Sequence, residues 1–375
     1  MQNGEVNIDV RRGLAQKPRR RPAQARACCG VLVGLGLFIL MQAGLAALIE
    51  GWRPELRDPT FEIKYRQLVR LRSQHRQPPA TVVFFGSSMT ANGIDASRIE
   101  EPLANVMGRP VVCYNLGING NGPLAHLVHV QRLLRRGIRP DLVCIEVSPL
   151  MCDSGEVKLD IARFPANVLE HRDLETLERH ADPPDLRSDW WQAHLLPIYG
   201  HRVMILNQSA RVLVPFKERV ELWKDADEHG WRPRPVPTPT EHRRYLAEVE
   251  QEFKERWARH KIDEIPLNAL RELTDLLAKE RIKAALVVMP EGPMMRALYR
   301  QELAEPVTEV FATMSRKHGF PLIYAREWLD EEHFRDSYHL HKTGAKAFTE
   351  RLLREGLTPT LANSSISARM APRGR

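Results

Sequence analysis

Cysteine is scarce in this chain, five residues in 375, and they fall in the wrong places for a disulfide framework. Cys28 and Cys29 open a long apolar run, while Cys113 and Cys144 sit inside strand-like apolar segments where a thiol behaves as a small hydrophobe. No structural disulfide is expected, the place of Cys152 is left open, and Cys28 lacks the preceding apolar h-region of a lipoprotein signal. A Gly-x4-Gly-Lys-Ser/Thr signature is missing throughout, which sets the usual phosphate-cradling loop aside. Internal repeats are missing too. A basic excess is missing where it would matter. The formal charge is +8, but residues 1–26 hold seven Lys/Arg against Glu5 and Asp9, and residues 358–375 add Arg369, Arg373 and Arg375 with no acid. The body between these ends is neutral, so nucleic-acid binding loses its support.

What is present begins with Ala27 to Ile49, apolar apart from Gln42 and about as long as the roughly 20 residues that cross a bilayer. The run lacks the polar face of a buried core helix, and it exceeds the roughly 7–15 residues of a signal-peptide h-region. Gly44-Leu45-Ala46 resembles a small-x-small cleavage site, so a cleaved signal peptide is the rival to an uncleaved anchor. Arg19, Arg20, Arg21 and Arg26 precede the run, and the positive-inside rule keeps that end cytoplasmic. The expectation is a single-pass protein of the cell membrane with a cytoplasmic N-terminus and an extracytoplasmic, periplasmic body.

Beyond a juxtamembrane segment, 50–79, five short apolar runs read as buried parallel strands: Thr81 to Phe85, Pro110 to Leu116, Asp141 to Val147, Lys283 to Met289 and Phe320 to Ala325. Helical spacing separates most of them, as in Ile99, Leu103 and Val106, in Leu127, Val128 and Leu134, and in Leu267, Leu270, Leu273, Leu276 and Leu277. Strand-helix alternation of this kind predicts an α/β fold, a doubly wound α/β/α sandwich on a five-stranded parallel sheet, with ligands beyond the carboxyl ends of the strands. The alternation stops over 154–263, a segment rich in Trp with a Pro-rich run from Arg232 to Thr240 and a charged helical stretch from Glu241 to His260. It reads as a mainly helical insertion, a lid or docking surface, splitting the catalytic domain into 80–153 and 264–357. Its tryptophans either pack a small core or stack on sugars. The Ser-, Ala- and Arg-rich segment 358–375 is expected to be disordered.

Three motifs carry chemistry. Phe84-Phe85-Gly86-Ser87-Ser88 ends the first strand, where Gly86 lets the chain turn and Ser88 can point into the crevice. A serine hydroxyl needs a base, and the base needs a group that holds its tautomer. Asp336-x-x-His339 near the C-terminus supplies both, His339 to accept the proton and Asp336 to orient the ring. His333, Asp336, His339 and His341 are dense enough for zinc, but their spacing matches no common zinc pattern. Asn115-Leu116-Gly117-Ile118-Asn119-Gly120-Asn121-Gly122, after the second strand, offers a close backbone approach and an exposed N–H for an oxyanion.

Together these motifs resemble the first, second and fifth blocks of the SGNH/GDSL hydrolase superfamily, over roughly Thr81 to Ser148 and Ile282 to Leu353. The resemblance implies a flavodoxin-like fold, Ser88 as nucleophile, His339 and Asp336 behind it, and Gly120 with the Ser88 amide as oxyanion donors. It also implies ester, thioester or O-acyl sugar substrates and no cofactor or metal. Ser87 replaces the family's usual Asp, as in membrane-anchored relatives that resemble the DltD and alginate-acetylation proteins. The third block's Asn is replaced by Leu150 in Glu146-Val147-Ser148-Pro149-Leu150-Met151, so one oxyanion donor is missing unless Asn119, Asn121 or Asn92 substitutes. The expected function is a membrane-anchored serine esterase or O-acyltransferase acting on an acylated envelope glycan or ester. The alternative is a catalytically inactive assembly protein of the same fold. Partners would be the lipid bilayer, an envelope glycan and envelope biosynthesis proteins.

Overall fold

The computed structural model describes residues 21–361 apart from 217, 218, 221, 260 and 300. The basic segment before residue 21 and the tail after 361 lie outside the described residues. The apolar run forms α1 (Arg21–Ala47), continued by a π-helical turn over Leu48–Trp52. Most of its large side chains between Val31 and Met41 are exposed.

Next comes α2 (Pro59–Ser73), started by Asp58, whose side chain accepts from the Phe61 amide, and by a proline at its first position. The juxtamembrane segment is therefore part of the folded body, with Phe61 and Leu68 fully buried in its core. Sequence periodicity hides this because α2 also buries charge. Lys64, fully buried, donates to the Asn115 and Gly230 carbonyls at 2.8 and 2.9 Å.

The sheet-forming part runs β1 (Ala80–Phe85), α3 (Ser88–Gly93), α4 (Ser97–Met107), β2 (Val111–Asn115), α5 (Pro123–Arg135) and β3 (Leu142–Glu146). The insertion contributes α6 (Ser154–Ala162), α7 (His171–His180), α8 (Leu186–Leu195), α9 (Pro197–Gly200), α10 (Arg202–Ser209) and α11 (Pro239–Ala258). The chain then returns with α12 (Glu264–Lys279), β4 (Lys283–Val288), α13 (Pro293–Ala297), α14 (Gln301–His318), β5 (Leu322–Tyr324) and α15 (Lys342–Arg351). Helical structure continues to Leu361, which is buried, beyond the point where the sequence suggests a disordered tail.

All five strands are parallel in the order β2-β1-β3-β4-β5. Successive side chains point to opposite faces: Val83, Phe85, Val143 and Ile145 pack under α2, α5, α12 and α14, while Val82, Phe84, Cys144 and Val287 pack under α4 and α15. Burial on both faces explains why the strands read as unbroken apolar runs. The order in which strands are added reverses between β1 and β3, which opens a crevice at their carboxyl ends, as in other doubly wound sheets.

The insertion wraps this crevice. Its segment 229–234 is strapped to β2, α3 and the start of α15 by backbone bonds Asn115 N–H to His229 O (2.9 Å), Arg232 N–H to Ala91 O (2.9 Å) and Lys342 N–H to Arg234 O (2.8 Å). Trp190, Trp223, Trp231 and Trp257 are buried and only Trp191 of the five is exposed, so core packing occupies most of these rings.

One buried cation ties three regions together. Arg132 of α5, fully buried, donates to Asp173 of α7 at 2.9 and 2.7 Å and to Asp58 before α2 at 2.6 Å. Arg132→Leu leaves buried Asp58 without its counter-charge and Asp173 with Arg135 alone, and should lower unfolding stability by about 3–5 kcal/mol. Denaturant unfolding checks this, and a change within experimental error would show that the cluster is not holding α2 to the body.

Candidate active site

The two motifs that carry Ser88 and His339 meet at the carboxyl end of the sheet, across 251 residues of chain. Ser87 caps α3, its Oγ accepting from the Met89 amide at 3.1 Å, and this places Ser88 at the first helical position. Glu146, the last residue of β3, is fully buried beneath the turn. Its carboxylate accepts from Ser87 N–H (2.9 Å), Ser87 Oγ (2.6 Å), Thr90 N–H (3.1 Å) and Thr90 Oγ1 (2.5 Å). Burial raises the Glu146 carboxyl, and these donors oppose the rise only in part. Gly86 is obligatory here, because an added Cβ would overlap Thr90 Oγ1 and Glu146 Oε2.

The base is carried by a tight hairpin. Phe334 and Leu340 form an antiparallel bridge, Arg335 N–H donates to His339 O at 2.8 Å, and Ser337 turns the chain with φ of 71°. Ser337 is fully buried and locked to the segment after β4, accepting from Met295 N–H at 3.0 Å and donating to Glu331 Oε2 at 3.1 Å. Asp336 Oδ2 lies 2.9 Å from His339 Nδ1, and His339 Nε2 lies 2.7 Å from Ser88 Oγ. Burial would raise the Asp336 carboxyl, but attraction to His339 whenever that ring is protonated, and the hydrogen bonds from His339 and Tyr338, outweigh it and hold the group below its usual value. An ionised Asp336 only accepts, so Nδ1 carries the proton and Nε2 presents its lone pair to the serine.

His341, given no role by the sequence, caps α15: its Nδ1 accepts from the Gly344 amide at 3.2 Å and its Nε2–H donates to Glu332 O at 2.7 Å. Burial lowers its pKa, consistent with the neutral ring that this cap requires. Among the described residues no group of three or more His, Cys, Asp and Glu side chains is placed to hold a metal ion.

Ser88 opens into a cavity of about 140 Å³ walled by Gly120, Asn121, Leu150, Phe253, Arg256 and Tyr338. Gly120 takes φ of 73°, a left-handed turn at the cavity wall. Asn121 lines this cavity and also the neighbouring one, where its Nδ2 lies 3.3 Å from His129 Nδ1. Asn119, a candidate oxyanion donor in the sequence, instead faces only that neighbouring cavity, of about 640 Å³, with Arg163, Arg211 and Arg219. Asn92 is buried, with its Oδ1 accepting from Arg234 Nε at 3.0 Å. The amides of Ser88 and Gly120 thus remain as candidate donors, and Leu150 stands in the wall without replacing the missing one.

Two groups that the sequence reading passed over come from the insertion. Asp160 of α6, buried, accepts from the amides of Gly122 (3.0 Å), Leu124 (3.0 Å) and Ala125 (3.4 Å), fixing the loop behind Gly120. Arg256 of α11 reaches the cavity beside Phe253, paired with Glu156 and, at 3.2 Å, with Glu252. Glu146 was visible only as a lone acid ending an apolar strand, a placement that demands buried donors. Asp160 left no such signal.

No family model matches the sequence, and no curated protein matches it. Solved structures with a similar course include a GDSL-like lipase from Bacteroides thetaiotaomicron, 11% identical, covering 82% of this chain and 99% of that one with a TM-score of 0.33. A variant of the esterase AlinE4 is 12% identical, covering 80% and 100% with a TM-score of 0.30. An acetyl-xylooligosaccharide esterase from Geobacillus is 14% identical, covering 74% and 93% with a TM-score of 0.31. Likenesses this distant carry no weight for activity, which rests on the side-chain geometry above.

Two predictions follow from the shell around Ser88. Glu146→Gln puts an NH2 group where the carboxylate accepts hydrogen bonds, and should lower kcat on an ester by roughly tenfold or more with KM little changed, at a stability cost of about 1–3 kcal/mol. Steady-state kinetics beside thermal unfolding checks both parts. Burial raises the Asp160 carboxyl from 3.8 to about 6 despite its three amide donors. The folded state therefore holds this proton more tightly than the unfolded state. That contribution to stability is complete below about pH 4 and is lost as pH rises through about 6. The Tm difference between the unaltered chain and Asp160→Asn should shrink across that window, and a constant difference would show that Asp160 does not titrate there.

Proposed function

We propose that this protein is a membrane-anchored serine esterase or O-acyltransferase of the SGNH/GDSL kind, acting on a short acyl ester of an envelope glycan. The observation that carries this reading is the aligned chain Ser88 Oγ, His339 Nε2, His339 Nδ1, Asp336 Oδ2, with contacts of 2.7 and 2.9 Å. In this reading Ser88 Oγ attacks the acyl carbonyl while His339 Nε2 takes its proton, and Asp336 stabilises the imidazolium. The oxyanion meets the amides of Ser88 and Gly120 in the cavity. His339 then returns the proton to the departing alkoxide, leaving a Ser88 acyl-enzyme, and water or a sugar hydroxyl accepts the acyl group.

Cavity size supports a short acyl chain. About 140 Å³ is small beside the roughly 300–1,000 Å³ of pockets that hold drug-sized ligands, which suits acetyl better than a long aliphatic chain. The membrane reading is supported by one helix, Gln24–Trp52, long and apolar enough to cross a bilayer. The positive-inside rule would put the body on the extracytoplasmic face, where envelope glycans are modified. Leu150 at the position of the missing donor favours a second reading, a binding or assembly protein that keeps the fold without turnover.

Aryl acetate and aryl octanoate esters, together with an O-acetylated polysaccharide, separate these readings. Release from the acetate should exceed release from the octanoate at least tenfold, and Ser88→Ala should lower it on the order of 1,000-fold or more. Acyl release that survives Ser88→Ala would remove Ser88 as nucleophile, while glycan binding without any release would favour the assembly protein.

A further inference from the structure

Among the described residues, nine of the sixteen exposed large apolar side chains outside α1 fall between Trp191 and Phe216, a concentration in one stretch of the insertion. Leu195, Tyr199, Val212, Leu213 and Phe216 are 66%, 62%, 83%, 70% and 84% exposed. A soluble face would leave these groups in water at a cost, so something of matching chemistry covers them.

The same segment touches the apolar helix. α8 and α9 pack against the carboxyl-terminal part of α1. Gln42, the only polar residue of the apolar run, is buried there, and its Oε1 accepts from the Ile198 N–H at the start of α9 at 3.2 Å. That amide is one of the unpaired donors of a helix start, and in hydrocarbon it must find a partner within the protein. Gln42 lies seven residues before Ile49, the end of the run, so the start of α9 sits about 10 Å back along α1. If α1 spans the bilayer, that depth matches the roughly 5–10 Å to which interfacial amphipathic elements sink.

Charge at the patch fits the same surface. Arg202 lies over the Tyr199 ring at 4.0 Å and Arg219 over the Phe216 ring at 5.9 Å. An apolar ring with a cation above it is the arrangement found where one end of a side chain is in lipid and the other meets headgroups.

We propose that the face from α8 to Phe216 is a second membrane contact, an apolar apron seated in the same bilayer leaflet that α1 leaves. The inference rests on the anchor reading of α1. It commits to lipid because α8 and α9, which carry Leu195, Ile198 and Tyr199, pack directly on the apolar helix at the matching depth. The apron would hold the body against the membrane at two places, so that the crevice cannot swing freely about the single helix.

The test uses the full chain in vesicles of phosphatidylethanolamine and phosphatidylglycerol, with Cys28→Ser and Cys29→Ser to clear the exposed thiols. A single environment-sensitive fluorophore is placed in turn at Leu35→Cys, Val212→Cys, Phe216→Cys and the remote, exposed Glu248→Cys. Lipids brominated near the headgroup end of the acyl chain and aqueous iodide are the two quenchers. The expected result is quenching by brominated lipid at Val212 and Phe216, with iodide quenching severalfold weaker there than at Glu248. Iodide quenching at Val212 and Phe216 equal to that at Glu248, with Leu35 still quenched by brominated lipid, overturns the apron and leaves the anchor standing. Shielding from iodide without quenching by lipid overturns it too, in favour of a protein covering the patch. An unquenched label at Leu35 overturns the anchor and the apron with it.

Discussion

The carboxylate of Glu146 joins the end of the central strand to the turn that carries Ser88, through four hydrogen bonds within 2.5–3.1 Å. A buried carboxylate is costly unless its oxygens are satisfied, so the turn has one low-energy course. That course requires Gly86, uses the Ser87 hydroxyl both as helix cap and as donor, and leaves Ser88 as the free hydroxyl facing His339. The carboxylate that holds the turn comes from β3, so Ser87 needs only its hydroxyl and amide to bind it. Ser88 is thus placed by the sheet rather than by the loop.

The insertion completes the site from outside the sheet. Asp160 pins the amides behind Gly120, Phe253 packs against Tyr338 at 5.3 Å between ring centres, and Tyr338 in turn lies 3.9 Å from the His339 ring. Leu150 packs into the same apolar cluster as Phe253 and Trp257. Leu150 thus gives the crevice wall an apolar seat for α11. Arg256 also reaches the cavity, its charge shared with Glu156 and Glu252.

Much of this was legible because parallel strands buried on both faces leave unbroken apolar runs, and because Gly86-Ser87-Ser88 and Asp336-x-x-His339 are local in sequence. The doubly wound order and the meeting of Ser88 with His339 come from those features. The parts that were not legible depend on buried charge. Asp58, Lys64 and Arg132 read as surface residues, yet they bind α2 into the body and turn a supposed juxtamembrane spacer into core. Asn119 and Asn121 are equivalent in sequence, yet Asn121 reaches the wall of the Ser88 cavity while Asn119 lines only the neighbouring one. Asp160 acts across 38 residues on Gly122, a pairing no local pattern announces.

The central claim is that Ser88 is an activated nucleophile, and covalent labelling tests it most directly. The full chain, folded in detergent, is treated with a fluorophosphonate and its intact mass and peptides are measured. The account predicts one adduct, on Ser88, that forms far more slowly in His339→Ala and not at all in Ser88→Ala. A folded, unaltered chain that takes no adduct, or takes it at another residue, would contradict the account.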